Sequence, residues 1–125
     1  MSYKYPTREK LKHKTQIDLL FAKGKWHSSG NLRIISIDLE KKPQPDFDIS
    51  NVKIGVSVSK KYFKKAVDRN RIKRLLREAY RHNKDVFAER FGAKSLSMLF
   101  WVSKEKPADY HSVNTEFLAL CQPKK

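Results

Sequence analysis

Little in this chain points to covalent chemistry or to a membrane. Its one cysteine, Cys121, rules out an internal disulfide and suits a reducing compartment, so a cytoplasmic location is expected. The four glycines, Gly24, Gly30, Gly55 and Gly92, stand apart from one another, which removes a glycine-rich phosphate loop. Four histidines, His13, His27, His82 and His111, are scattered without HxxxH spacing, and no CxxC occurs, so no zinc site is expected. No residue pattern sets a nucleophile beside a base. The most apolar run, Leu96 to Val102, is far shorter than the ~20 residues a bilayer span requires. The opening MSYKYPTREK lacks the apolar segment of a secretory leader.

Negative charge is also scarce. Thirteen Asp and Glu face 28 Lys and Arg, for a net charge of +15 and a pI near 10.0. With 125 residues, 39% of them hydrophobic, the chain makes one domain able to bury roughly two-thirds of its unfolded surface. Such an excess of cations favours nucleic acid as the partner, with an acidic membrane surface as the second option.

The cations concentrate between Lys60 and His82, KKYFKKAVDRNRIKRLLREAYRH, where ten Lys and Arg meet only Asp68 and Glu78. From Ala66 onward this stretch has a helical period: Ile72, Leu75, Leu76, Ala79 and Tyr80 recur at i, i+3, i+4, i+7 and i+8. At ~100° per residue these five share an arc of roughly 140°, while Lys73, Arg77, Asn70, Arg81 and Arg74 lie on the other side. Like charges spaced as Lys73 with Arg77, or Arg74 with Arg77, repel mildly. A polyanion relieves that repulsion and gains counterion release. The plain alternative is a solvated helix face; the near absence of acids and the continuation into Lys60, Lys61, Lys64 and Lys65 favour a binding face.

Ahead of this helix, a basic arm through Lys14 and a tail over 122–125 are expected to be mobile. Thr15 is placed to cap a short helix, with Asp18 as a weak capping-box partner and Gly24 as its stop. Ile17, Leu20 and Phe21 share a face, and on spacing alone Phe21 reads as core. Asn31–Leu39 and Val52–Ser59 read as strands, expected to pair as a hairpin across the proline-rich loop between them. In the second strand Val52, Ile54, Val56 and Val58 alternate with Lys53, Gly55, Ser57 and Ser59. Asp46 and Asp48 in the loop lack a third ligand, so a metal-dependent nuclease is not supported. Beyond the basic helix, Asn83–Ala93 is ambiguous, Ser97–Val102 reads as a central strand, and Val113, Phe117, Leu118 and Cys121 fit a closing helix.

VSVSKKYFKKAVDRNRIKRLLREAY, from Val56 to Tyr80, resembles the signature of the protein component of bacterial ribonuclease P, in which S-V-S-K-K precedes R-N-R-I-K-R-L. LKHKTQIDLLFAKGKW, from Leu11 to Trp26, is similar to that family's first helix, and the likeness extends over residues 9–121. The resemblance implies an α+β sandwich of α-β-β-β-α-β-α order with a left-handed βαβ crossover, an arrangement also met in a domain of a small-subunit ribosomal protein. Periodicity would not have suggested it, since right-handed crossovers dominate. It also implies a cytoplasmic subunit, one per RNA, of a ribonucleoprotein that removes the 5′ leader of precursor tRNA. In that family the catalytic RNA subunit holds the active site and its magnesium; the protein itself carries no catalytic residue, metal or cofactor.

By the same likeness Lys60, Lys61, Lys64, Lys65, Arg69, Asn70, Arg71, Lys73, Arg74, Arg77 and Arg81 face RNA, and Phe21, Lys53 and Ser57 line the leader cleft. Arg69 has the weakest physical support, because it falls near the apolar edge of the wheel. Two places departs from the family pattern: Ile17 and Ile35 stand where aromatics are usual, so leader contacts are expected to lean on charge and backbone. Two other classes fit the same charge. A ribosomal protein would bind rRNA without affecting tRNA processing. A zipper-type DNA-binding helix would need leucine heptads past His82, and none continue.

Overall fold

SLSMLFW, the most apolar strand sequence in the chain, occupies the middle of the sheet. In the computed structural model, which describes residues 10–11, 13–44 and 51–122, it forms Ser95–Trp101 and is buried along nearly its whole length. The elements run α1 (Lys14–Lys23), β1 (Lys25–Ser29), β2 (Leu32–Asp38), β3 (Lys53–Val58), α2 (Ala66–His82), α3 (Lys84–Phe91), β4 (Ser95–Trp101) and α4 (Tyr110–Leu120). This is a mixed α+β domain of four strands and four helices, in the expected order with α3 added.

The sheet order is β1-β2-β4-β3, with β3 parallel to β4 and the other pairs antiparallel. The hairpin expected between Asn31–Leu39 and Val52–Ser59 therefore does not form: β4 lies between those two strands. A strand apolar on both faces gains most from a central place, and its insertion forces β3 to the edge. The partner that β2 takes on its other side is β1, KWHSS, a polar edge strand with no alternation to betray it.

Two cores form, one on each side of the sheet. On one side α2, α3 and α4 pack Ile72, Leu76, Ala79, Tyr80, Phe87 and Phe117 against Ile34, Ile54, Leu99 and Trp101. On the other, α1 brings Leu20 to Ile35, Ile37 and Leu96. Leu11 joins this second core, and its N–H donates to Ile54 O at 3.1 Å. Lys10 and Leu11 are thus docked against β3, and Lys14 lies in α1; residues 1–9 and 12 of the arm expected to be mobile, the proline-rich stretch over 45–50 and the tail over 123–125 lie outside the described residues.

Helix ends differ in detail from the sequence reading. α1 begins at Lys14 with His13 as its cap, so Thr15 lies inside the helix. Gly24 closes α1 at φ −73°, an ordinary extended value. What it supplies is room, since a Cβ there would lie 2.5 Å from Leu20 O and 2.8 Å from Ile35 Cγ1. Asn83 resolves the ambiguous segment: its side chain donates to Ala79 O and Asn114 Oδ1, both at 2.7 Å, which ends α2 and lets α3 start at once. In α4 the buried residues are Val113, Phe117 and Leu120, with Cys121 just beyond, while Leu118 is half-buried.

Cys121 sits in the larger core at 3% exposure. Burial pushes its thiol up to about 12, against the weaker opposing charge of Arg90. At pH 8 that leaves about one thiol in ten thousand ionised. The folded protein is therefore expected to resist a thiol reagent at pH 8, with one label per chain added only in denaturant. Rapid labelling of the native chain, followed by mass, would show that this end of the core is open.

Candidate nucleic-acid interface

The α2 sequence divides itself between core and solvent. Ile72, Leu76, Ala79 and Tyr80 are buried, with Leu75 packed at the margin, so the apolar arc predicted for the helix is the arc that faces the sheet and α4. Asn70, Arg74 and Arg77 are consequently exposed, with Lys73 half-buried beside them. Among the described residues Lys73, Arg74 and Arg77 have no ion pair and no hydrogen bond. Asp68, the acid of the first turn, is already held by Lys106 at 3.2 Å and does not neutralise the row.

The flanking cations are presented by a turn at the end of β3. Tyr62 and Phe63 N–H groups both donate to Ser59 O at 3.2 Å, Lys61 N–H donates to Ser59 Oγ at 3.0 Å, and Phe63 plugs into the core. Lys60, Lys61, Lys64 and Lys65 are left exposed around this anchored turn.

Three arginines are less available than the wheel suggests. Arg69 Nη1 donates to Phe63 O at 2.9 Å and Lys64 O at 2.8 Å, so its guanidinium fastens the turn to α2. Lying near the apolar edge of the helix, it reaches back past the N-cap Lys65 to two carbonyls of the turn that precedes α2. Arg71 Nη1 donates to Pro107 O at 3.2 Å, though the residue stays exposed. Arg81 lies 3.8 Å from Glu78, a loose pair on one helix face.

On the opposite side of the sheet a second surface forms. Phe21, expected from spacing to be core, is 47% exposed, because α1 covers only part of the sheet and Phe21 lies on its open flank. Its ring centroid is 6.1 Å from Trp26 and 6.3 Å from Phe100, and those two are 5.6 Å apart. The Arg33 guanidinium lies 4.2 Å over the Trp26 ring. Ser57 is opposite Phe100 in the β3–β4 register, so Phe21 and Ser57 share this site. Lys53, opposite Leu96, lies four residues farther along β3, about 13 Å away.

Trp26, Phe100 and Arg33 escape a sequence reading. The continuous apolar run of β4 hides which of its residues face which side, and Phe100 is told from Trp101 only by strand parity. Aromatics absent at Ile17 and Ile35 are thus supplied from β1 and β4. The surface therefore offers three clustered rings beside the Arg33 guanidinium.

Among the described residues no group of three or more His, Cys, Asp or Glu converges as metal ligands, and no helix is long and apolar enough to cross a membrane. The α2 face presents cations and the second surface presents rings beside one guanidinium, side chains of the types that can engage phosphates and unstacked bases.

The family model for ribonuclease P matches residues 5–124. The chain belongs to the ribonuclease P protein family. The ribonuclease P protein component of Bacillus cereus is 39% identical over 88 residues, covering 70% of this chain and 67% of the relative. That of Porphyromonas gingivalis is 36% identical over 109 residues, covering 84% and 74%. The fold is similar to the solved ribonuclease P protein from Thermotoga maritima, at a TM-score of 0.71 and 21% identity, covering 94% of this chain and 99% of that one.

Proposed function

We propose that this ribonuclease P family protein binds a catalytic RNA subunit through the outer face of α2, and the 5′ leader of precursor tRNA through the Phe21–Trp26–Phe100 surface. In this reading it promotes endonucleolytic 5′ maturation of tRNA in the cytoplasm, one protein per RNA. The RNA performs the cleavage with its own magnesium, and the protein contributes no catalytic group. The observation that carries the reading is the row of Lys73, Arg74 and Arg77, set on a helix whose other face is locked in the core. Family membership supports the assignment to this ribonucleoprotein. Lys60, Lys61, Lys64, Lys65, Asn70 and Arg71 extend the row, whereas Arg69 acts mainly by holding the turn and Arg81 lies at the margin.

The test is reconstitution. Purified protein added to the cognate RNA subunit and a precursor tRNA at low magnesium should yield the mature 5′ end, where RNA alone is slow. Cleavage equally slow with and without protein would remove this function and leave the ribosomal-protein alternative.

The leader surface has its own prediction. Phe21→Ala and Trp26→Ala should each weaken leader-bearing precursor by ~1–3 kcal/mol, the worth of one stacked base. Affinity for tRNA lacking a leader should not change. Equal losses for both substrates would show that the rings only support α1.

A further inference from the structure

The Lys60–Lys61 turn lies beyond the end of β3, next to Trp101 in register. At the other end of the sheet, about 20 Å away along β4, a cavity of about 240 Å³ opens between β1, β2 and the last turn of α3. Lys23 ends α1 at its rim, Lys25 comes from β1, Lys41 and Lys42 from the turn after β2, and Arg90 from α3; Asp38 is the single acid among its lining residues. None of these five cations contributes to either surface described above.

The turn is a built one. Lys42 N–H donates to Asp38 O at 2.9 Å and Glu40 N–H to Asp38 Oδ1 at 3.0 Å, which folds the two lysines back over the strand end. The Asp38 carboxylate lies flat against Gly92, where a Cβ would approach it to 2.5 Å and where φ is +108°. Gly92 therefore permits both the chain reversal and the carboxylate's position. Arg90 is held by its neighbours, its guanidinium 5.0 Å over the Phe91 ring and its Nη2 3.4 Å from His27 Nδ1. Yet its Nε is buried and has no hydrogen-bond partner among the described residues. A buried donor left without an acceptor is costly, and an acceptor entering the cavity beside Arg90 would relieve that cost. Lys23, Lys25, Lys41 and Lys42 are all exposed, and their side chains have no ion pair or hydrogen bond among the described residues, so their charge is directed at solvent.

The geometry points to a second phosphate-binding site, in which Arg90 and these lysines take a backbone phosphate of RNA, distinct from the α2 face. A stacked guanidinium with a spare N–H suits a phosphate oxygen. Lysines on both rims suit a strand that enters and leaves, more than a small ion held from all sides. The assignment to RNA rests on the binding reading above, and a free phosphate offers the same chemistry.

The closing experiment measures the salt dependence of binding to a transcript of the catalytic RNA subunit. It compares the full chain, Lys41→Gln with Lys42→Gln, Arg90→Gln, and Arg74→Ala with Arg77→Ala. The lysine pair is exposed and should fold normally, covering the case in which Arg90→Gln does not. Each lost phosphate contact should lower the slope by roughly 0.7–0.9, so a fall of that size in the lysine pair is expected. An unchanged slope in the lysine pair, with a reduced one in the Arg74/Arg77 pair, overturns this site and leaves the α2 face standing. Unchanged slopes in all variants overturn both. Inorganic phosphate is titrated in parallel while the Arg90 Nε–H resonance is followed. A saturable shift with RNA slopes unaltered identifies a small phosphate as the occupant and overturns the RNA assignment.

Discussion

Ile72→Asp is expected to unfold the domain. Ile72 is 1% exposed, on the side of α2 that faces Ile54 and Leu99 in the larger core. Truncating such a residue costs ~2–5 kcal/mol in lost contacts and cavity. A carboxylate there adds several more for desolvation, with no cation on that face to pair with. Together these rival the ~5–15 kcal/mol by which a domain of this kind is stable. Circular dichroism and denaturant titration should show loss of the cooperative transition. A soluble Ile72→Asp protein unfolding cooperatively near the parent midpoint would mean that α2 is turned about its axis, and the cationic row would lose its outward position with it. Glu78→Ala, on the half-buried margin of the same helix and paired among the described residues with Arg81 in a loose contact, should by contrast shift stability by under ~1 kcal/mol.

What the sequence reveals of the fold follows from where information is local. The α2 face was legible because 17 residues of helix repeat one period, and burial agrees at Ile72, Leu76, Ala79 and Tyr80. Strand β4 was legible because a short apolar run needs cover on both sides. Pairing was not: choosing β4 over β3 as the neighbour of β2 depends on contacts some sixty residues apart, and the nearer strand was the wrong one. The commitment of Arg69 to two carbonyls was legible only in part, as an angle near the apolar edge, because the path of the Lys60–Lys65 turn is set by Phe63 reaching the core. The aromatic surface was hidden for a different reason. Its three rings come from α1, β1 and β4, and no sequence window contains them together.

Removing Arg74 and Arg77 together should weaken RNA binding by about 100-fold or more while leaving the fold intact. Both side chains are exposed and have no partner among the described residues, so their loss creates no cavity and strands no buried group. Stability should even rise slightly, because repulsion along the row is relieved. On the proposed reading each guanidinium would make charge-assisted hydrogen bonds to phosphate worth ~1.5–3 kcal/mol, and the pair therefore ~3–6 kcal/mol. The loss has a signature that separates phosphate contact from packing: the slope of log affinity against log salt should fall by roughly 1.4–1.8, and the deficit should shrink as salt rises. Arg69→Ala makes the converse case. Its guanidinium is spent on Phe63 O and Lys64 O, so its removal should loosen the turn, lower thermal stability, and change the slope less than either Arg74→Ala or Arg77→Ala. If Arg69→Ala instead took the larger share of the slope with stability unaltered, the bonds that tie it to the turn would have to break when RNA binds, and the binding face would extend round to the start of α2.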